Sequence, residues 1–171
     1  AIARAGGQRI RVHRDEWPVL IGMSLCNVTL WNVLVTYGVS LLPAGRSAIV
    51  AYTMPLWTVI LSTFVLGEKF TRRRMAGVAL GMSGLALLLG DSLVALGGAP
   101  GGTLLILAAA LSWSMGTMLM KKYPLKMPTT SLTGWNFLIG GLPIVIGALL
   151  LDHDAWHPIG PKAVIGVAYN V

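Results

Sequence analysis

Long apolar runs and short polar segments alternate along this chain. Residues 47–67 contain no charged side chain over 21 positions, and residues 75–90 contain none over 16 positions before Asp91. A hydrocarbon core about 30 Å thick is crossed by roughly 20 apolar residues of helix, with a range of about 17–25. The pattern therefore predicts transmembrane helices, and the second of these runs needs its flanking residues in order to cross.

The same alternation predicts five complete spans and the start of a sixth. The predicted spans are about residues 17–42, 44–67, 75–90, 103–120 and 131–151, followed by a truncated run at 162–171. The predicted fold class is an all-α integral membrane protein, a polytopic helix bundle. Because the chain begins without Met in a polar segment and ends within an apolar run, we expect an internal fragment of a longer protein.

Composition excludes a soluble globule and a nucleic-acid-binding domain. Hydrophobic residues make up 55% of the chain and charged residues 11%, and the mean hydropathy is +0.73, which leaves too little polar surface for a water-soluble protein. The net charge of +7 would suit nucleic acid, but the basic residues lie between apolar spans and not on a surface of stacking aromatics. The single cysteine, Cys26, has no disulfide partner.

The placement of the basic residues predicts the topology. Loops 1–16, 68–74 and 121–126 alternate with the spans so that they share one side, and they hold 11 of the 13 Lys and Arg residues. Lys and Arg are concentrated in cytoplasmic loops. We therefore expect these three loops to be cytoplasmic in a multi-pass protein of the cell (inner) membrane, with the lipid bilayer as the first partner.

Polar residues on the first span are candidates for a binding cavity. Ser24, Asn27 and Trp31 share one face at helical spacing, and a second polar face carries Thr29, Asn32 and Thr36. Both faces are expected to avoid lipid. Either they cross-link helices or one of them lines a polar cavity, for which Asn27 and Trp31 are the better candidates.

The second span carries a further set of candidates. Pro55 lies inside the predicted helix, where it removes the hydrogen bond to the carbonyl of Ala51 and predicts a kink. Arg46, Thr53 and Trp57 follow one stripe of that helix, so Arg46 either reaches the outer headgroups or turns inward as an anion site or gate.

Small residues and a deep tryptophan add expectations for the later spans. Gly77, Gly81 and Gly84 on the third span, and Ala108, Ser112 and Gly116 on the fourth, predict closely packed helix faces without specifying a particular dimer. A homodimer stays open as an arrangement. Trp113 is too deep for an interfacial anchor and is predicted to lie in the core or in a cavity wall.

Charged residues outside the spans suggest neither metal binding nor catalysis. Asp152, His153, Asp154 and His157 have a spacing that could hold a metal on a helix, but Pro158 opposes a helix there, so no metal or other cofactor is expected. Glu68 is predicted to pair with Lys69 and Arg72 at the membrane surface. No catalytic triad, phosphate loop or paired carboxylates occur within the spans, so an enzyme is not expected.

Two stretches of the chain resemble a known transporter family. The run from Arg46 to Gly90, with AYTMPLWTVILS followed by LGEKFTRRRMAGVALGMSGLALLLG, resembles the EamA-type repeat of the drug/metabolite transporter superfamily. GTLLILAAALSWSMGTMLMKK is similar to the first helix of that family's second repeat. The resemblance implies ten helices in two five-helix inverted repeats, with residues 1–100 holding the last three helices of the first repeat and residues 101–171 the beginning of the second.

The resemblance also implies a function. Members of this family are carriers that move small metabolites, amino acids or drugs across the cytoplasmic membrane by alternating access. The candidate substrate-binding or gating residues are those that the spans themselves indicate: Asn27, Trp31, Arg46, Thr53, Pro55, Trp57 and Trp113. Without the missing helices we expect the chain alone to show no uptake in a reconstituted assay. The alternative is a non-transporting membrane scaffold or assembly subunit whose polar groups only hold helices together.

Overall fold

A computed structural model describes residues 12–69, 71–89 and 100–151 of the chain. Within these ranges the chain is helical and contains no strand, which confirms the predicted all-α class. The helices are α1 (Arg14–Leu41), α2 (Ala44–Leu66), α3 (Arg72–Leu89), α4 (Pro100–Lys122) and α5 (Thr129–Leu151). The truncated sixth span, the linker before Pro100 and the histidines near Pro158 lie outside the described residues.

Helices α1, α2, α4 and α5 are each long and apolar enough to cross a membrane. Each begins or ends within about three residues of its predicted boundary. Helix α3 forms where the third span is predicted, but its first turn consists of Arg72, Arg73 and Arg74, so the apolar part is 75–89. That α3 crosses the membrane stays a prediction.

Helix α4 lies at the centre of the bundle. It packs along both α1 and α2, while α5 packs on α1 and α3 contacts α2. Small side chains allow backbones to approach closely in the absence of a hydrophobic driving force between helices. The buried positions of α4 have this character: they include Ala109, Ala110, Ser112, Ser114 and Gly116.

The three basic loops meet at one end of the bundle. Helix α2 ends at Leu66, and its C-cap, Gly67, has a φ of 64°, the left-handed conformation that favours glycine. The next residue, Glu68, accepts a hydrogen bond from Lys121 Nζ at 2.6 Å and also pairs with Arg74. The backbone N–H of Lys126 donates to Glu16 Oε1 at 2.7 Å. These contacts join the loops as the alternation of spans requires.

The predicted partners of Glu68 are therefore wrong. Lys69 and Arg72 are close in sequence, but the turn after Gly67 directs the carboxylate toward Arg74 and toward the end of α4. The contact with Lys121 depends on how α4 packs beside α2. The sequence of one loop carries no information about that packing. The hydrogen bond from Lys121, followed by that from Arg74, lowers the pKa of Glu68 from its ordinary value of 4.5 to about 2.

Glycine allows a close backbone contact between α1 and α5. A Cβ atom built on Gly140 would lie 2.5 Å from the carbonyl oxygen of Ser24 and 2.5 Å from Cβ of Val28. The Thr29 hydroxyl donates to the Gly140 carbonyl oxygen at 2.6 Å. At the start of these two helices, Trp17 and Trp135 meet edge to face with ring centroids 5.5 Å apart.

The small residues of α3 do not pack as predicted. Within the described part of the chain, nothing lies within 4 Å of a Cβ built on Gly77, Gly81 or Gly84. On α4 the prediction holds for Ser112 and Gly116, which are buried, but Ala108 is exposed. Glycine spacing permits close helix packing but does not determine which helix packs against the glycines.

We predict that Gly140→Ala destabilises the bundle by about 1–3 kcal/mol, because the added methyl overpacks the contact with the α1 backbone. The measurement is the unfolding free energy in mixed micelles. Gly141→Ala is the matched control, since nothing lies within 4 Å of its Cβ position. Equal effects of the two changes would contradict this packing.

We also predict that Lys121→Gln raises the pKa of Glu68 toward 4.5, because it removes the strongest hydrogen bond to the carboxylate. A carboxyl group whose pKa is lowered in the folded state stabilises the fold above pH 4.5 and loses that contribution as the pH falls through about 2. Carbon NMR titration of Glu68 reports this value directly. Lys122→Gln, a charge change at the neighbouring residue, should leave the titration unchanged.

Candidate functional site

Two helices lose their regular α form at mid-length. Helix α1 is α-helical over Trp17–Ser24, becomes a π-helix over Leu25–Leu30 and returns to α-helix at Trp31–Leu41. Helix α2 stops at Ala51 and resumes at Met54. Irregular backbone at membrane depth is tolerated where protein buries it or where it lines a cavity, and π-bulges are frequent at functional sites. We call residues 24–31, 51–58, 110–116 and Gly140 the central layer.

Side chains satisfy the backbone of the π-helical segment. Ser112 Oγ of α4 donates to the carbonyl oxygen of Cys26 at 2.9 Å. Asn32 Nδ2 donates to the carbonyl oxygen of Val28 at 2.7 Å. The π-helix is thus held by one hydroxyl from the central helix and one amide from its own helix.

The break in α2 lies on the N-terminal side of Pro55, where the proline predicts it: the first half of the helix ends at Ala51. The proline occupies the first turn of the second half of α2, where its missing N–H leaves no helical hydrogen bond unmade. The interruption lies before it, at Tyr52 and Thr53, and the Thr53 hydroxyl donates to the carbonyl oxygen of Val50 at 2.7 Å. The predicted stripe from Arg46 through Thr53 to Trp57 assumed a continuous helix, which this break interrupts.

Ser114 of α4 joins the broken helix to the centre of the bundle. Its hydroxyl oxygen lies 3.1 Å from the carbonyl oxygen of Met54 and 2.8 Å from that of Ala110, and its single proton can serve one of them at a time. Thr58 Oγ1 donates to the same hydroxyl at 3.2 Å. Ser114 is fully buried. Two residues of one helix, Ser112 and Ser114, therefore anchor both irregular segments.

Four buried polar atoms have no hydrogen-bond partner in the part of the chain that the structure describes. They are Ser24 Oγ, Asn27 Oδ1, Trp57 Nε1 and Asn136 Oδ1. An unpaired buried donor or acceptor costs about 1–3 kcal/mol, and most such groups in native proteins are paired. Three of these atoms belong to the central layer. Ser24 Oγ can donate or accept a hydrogen bond, Asn27 Oδ1 can accept one and Trp57 Nε1 can donate one.

A glycine opposite Asn27 leaves room for the Asn27 side chain. Its amide group lies directly against Gly116 of α4, where a Cβ atom would collide with Oδ1 and Cγ. Glycine at this position lets the amide lie between α1 and α4. The polar face of α1 that carries Asn27 therefore turns toward the central helix.

The second polar face of α1 turns toward α5. Asn32 and Thr36 line a cavity of about 230 Å³, together with residues around Pro143 of α5. Thr29 on the same side donates to Gly140. Thr29 therefore contacts α5, whereas Asn32 and Thr36 are exposed in the described bundle, and the prediction that this whole face avoids lipid stays a prediction.

The other predicted site residues are spread over the bundle. Trp31 is half-buried directly after the π-helix, and Arg46 is half-buried in the first half of α2. Trp113 is 37% exposed, so a core position is wrong within the described bundle. It lies between Ser112 and Ser114 in sequence, but those two face α1 and α2 while the indole points outward.

Sequence reasoning missed two contributors to this layer. The sequence places Ser112 only in a packing stripe, and Ser114 is not among the predicted site residues. The signal available in the sequence was a pair of serines flanking a tryptophan in an otherwise apolar span. No sequence pattern reports that a neighbouring helix will present free carbonyls there. Among the described residues no cluster of three His, Cys, Asp or Glu side chains could hold a metal ion.

Comparisons with known proteins agree with this architecture. The model of the EamA-like transporter family matches residues 1–90 and 100–170. A transporter of Bacillus subtilis named as uncharacterised, YvbV, is 30% identical over 80% of this chain and 46% of its own length. A probable amino-acid metabolite efflux pump of Escherichia coli is 34% identical over 67% of this chain and 39% of its own.

A third relative covers the whole chain. The aromatic amino acid exporter YddG of Ancylobacter novellus is 26% identical over 100% of this chain and 59% of its own length. The chain spans about half the length of the relatives that it matches. No solved structure matches it. With a family model matched over nearly all its residues and four helices fit to cross a membrane, the chain belongs to the EamA-like transporter family.

Proposed function

We propose that this chain forms part of a carrier that moves small metabolites across the cytoplasmic membrane, and that the substrate binds at the central layer. One observation carries the proposal: buried groups there, Asn27 Oδ1 and Trp57 Nε1 above all, have no partner among the described residues and lie beside two interrupted helices. Transporters commonly bind substrate near the bilayer midplane at discontinuous helices. Relatives named as amino-acid efflux pumps support the same class of substrate.

The chemistry of the layer favours a substrate without net charge. Residues 24–31, 51–58 and 110–116 contain no ionisable acid or base other than Cys26 and Tyr52. Asn27 Oδ1 can accept a hydrogen bond from an ammonium group, and the Trp57 indole N–H can donate one to a carboxylate. A zwitterionic amino acid offers both groups, and it adds no net charge to a low-dielectric site.

Alternating access would use the two irregular segments as pivots. The π-helix of α1 and the break at Tyr52 and Thr53 of α2 allow each half-helix to tilt about the central layer. Residues 1–100 and 101–171 would then belong to the two repeats, with α4 of the second repeat packed between α1 and α2 of the first. The end that carries Glu68 and Lys121 would face the cytoplasm, following the concentration of basic residues there.

We predict that Trp57→Phe, in the protein expressed from its complete reading frame, raises the substrate KM roughly tenfold to 100-fold. This is the effect of losing a hydrogen bond to a charged group, about 1.5–3 kcal/mol. The thermal stability should stay equal or rise, because the indole N–H has no partner within the described residues. Uptake of labelled amino acids into proteoliposomes measures the first quantity, and a melting curve in detergent measures the second.

The matched control is Trp17→Phe, which changes an indole at the basic end of α1 and retains the aromatic contact with Trp135. It should leave KM unchanged. If Trp57→Phe lowers stability and leaves transport of all amino acids tested unchanged, the polar groups of the layer serve packing only. That result would favour the alternative of a non-transporting membrane scaffold.

Ser112→Ala should behave in the opposite way. The hydroxyl is already paired with the Cys26 carbonyl, so its removal costs stability, about 0.6 kcal/mol and up to about 1.7. We expect the unfolding free energy to fall while KM per folded molecule stays constant. A large rise in KM without a loss of stability would mean that Ser112 contacts the substrate.

A further inference from the structure

Helices α2 and α3 enclose an open cleft that the proposed transport site does not use. Its volume is about 580 Å³, within the range of pockets that hold drug-sized ligands. On the α2 side it is lined by Tyr52, Pro55 and Leu56 at the helix break. On the α3 side it is lined by Arg74, Gly77, Val78, Gly81, Met82 and Gly84.

The wall of the cleft formed by α3 has the length of one bilayer leaflet. From Arg74 to Gly84 the helix rises about 15 Å, at 1.5 Å per residue. A hydrocarbon core is about 30 Å thick, so the cleft extends from the basic end of the bundle to about the bilayer centre. The position of Pro55 near the middle of α2 gives the same depth.

The wall of the cleft formed by α3 is open and apolar. Gly77, Gly81 and Gly84 face space in which nothing described lies within 4 Å of a Cβ position. Glycine weakens a helix, so three such residues on one face are not explained by α3 alone. They make a smooth groove whose only charged lining residue is Arg74, at one end.

The N-terminal end of α3, beside the mouth of the cleft, is strongly basic. Arg74 lines the cleft and is paired with Glu68, whereas Lys69, Arg72 and Arg73 precede it in the chain, are exposed and form no ion pair with any residue that the structure describes. Arg72 and Arg73 also begin α3, where the helix dipole is positive. Basic clusters at the membrane end of a helix attract anionic lipid headgroups, at about 1 kcal/mol or a factor of five per residue.

We propose that this cleft is a binding site for an anionic phospholipid. The phosphate lies against Lys69, Arg72 and Arg73. One acyl chain lies along the glycine-lined wall of α3 and ends beside Tyr52 and Pro55. The match is of charge at the mouth, apolar lining along the length and a depth of one leaflet. A lipid seated there contacts the broken segment of α2 directly. This site requires membrane insertion but does not depend on the proposed transport function.

Native mass spectrometry of the complete protein tests the proposal by titration with phosphatidylglycerol carrying 16-carbon chains. Phosphatidylcholine with the same chains, dihexanoyl phosphatidylglycerol and inorganic phosphate are the comparison ligands. We expect long-chain phosphatidylglycerol to bind at least tenfold more tightly than each of the three. Equal affinity for phosphatidylcholine would contradict the proposed headgroup site. Equal affinity for the short-chain lipid or for phosphate would contradict the proposed acyl-chain groove.

Two variants locate the site. The double change Arg72→Gln and Arg73→Gln should weaken phosphatidylglycerol binding about 25-fold, the factor for two charges. The matched control, Lys122→Gln with Lys126→Gln, removes two exposed charges from the same end of the bundle, outside the two helices that line the cleft. An equal loss in the control would show general attraction to the basic end and overturn the assignment.

Gly81→Leu should block the groove and abolish the preference for long chains. Gly141→Leu on α5, which also faces open space, is its control and should bind lipid normally. If Gly81→Leu instead lowers the melting temperature in lipid-free detergent and leaves lipid binding unchanged, another protein segment fills the cleft and the proposal is wrong.

Discussion

A backbone carbonyl in the hydrocarbon core has no water to hydrogen-bond, so every carbonyl that a helix releases must find a partner within the protein. In this chain the requirement falls on α4. Ser112 serves the Cys26 carbonyl of the π-helix, and Ser114 reaches the Met54 carbonyl beside the break in α2. The irregular segments of two helices can exist at mid-membrane because a third helix, lying between them, supplies hydroxyl groups at the same depth.

Close approach makes these hydrogen bonds possible. Gly116 admits the Asn27 amide between α1 and α4, and Gly140 brings α5 against the backbone of α1 near Ser24. Where glycine is not matched by a neighbour, as on α3, the same residue type leaves an open cleft with a basic mouth. Small residues thus have two opposite results in one chain, and the difference lies in which helix faces them.

In the central layer, Ser24, Asn27 and Trp57 each carry a buried polar atom without a hydrogen-bond partner among the described residues. An amide oxygen and an indole N–H of this kind have hydrogen-bonding capacity available for a ligand. The EamA-like transporter family, to which the chain belongs, includes relatives named as a probable amino-acid metabolite efflux pump and an aromatic amino acid exporter. The proposed function rests on the site and the family together.

The sequence by itself determined the membrane class, the helices and the meeting of three basic loops at one end. Hydrophobic length and charge alternation are local quantities, and the bilayer converts them directly into spans and sides. It also indicated Asn27 and the polar faces of α1, because helical spacing is a property of one helix. Tertiary structure alone decided that Glu68 pairs with Lys121, that Trp113 is exposed and that Ser112 and Ser114 hold the central layer. Each of these depends on which helix lies alongside, and contacts between residues 53 to 111 positions apart are set by packing, which no single span encodes.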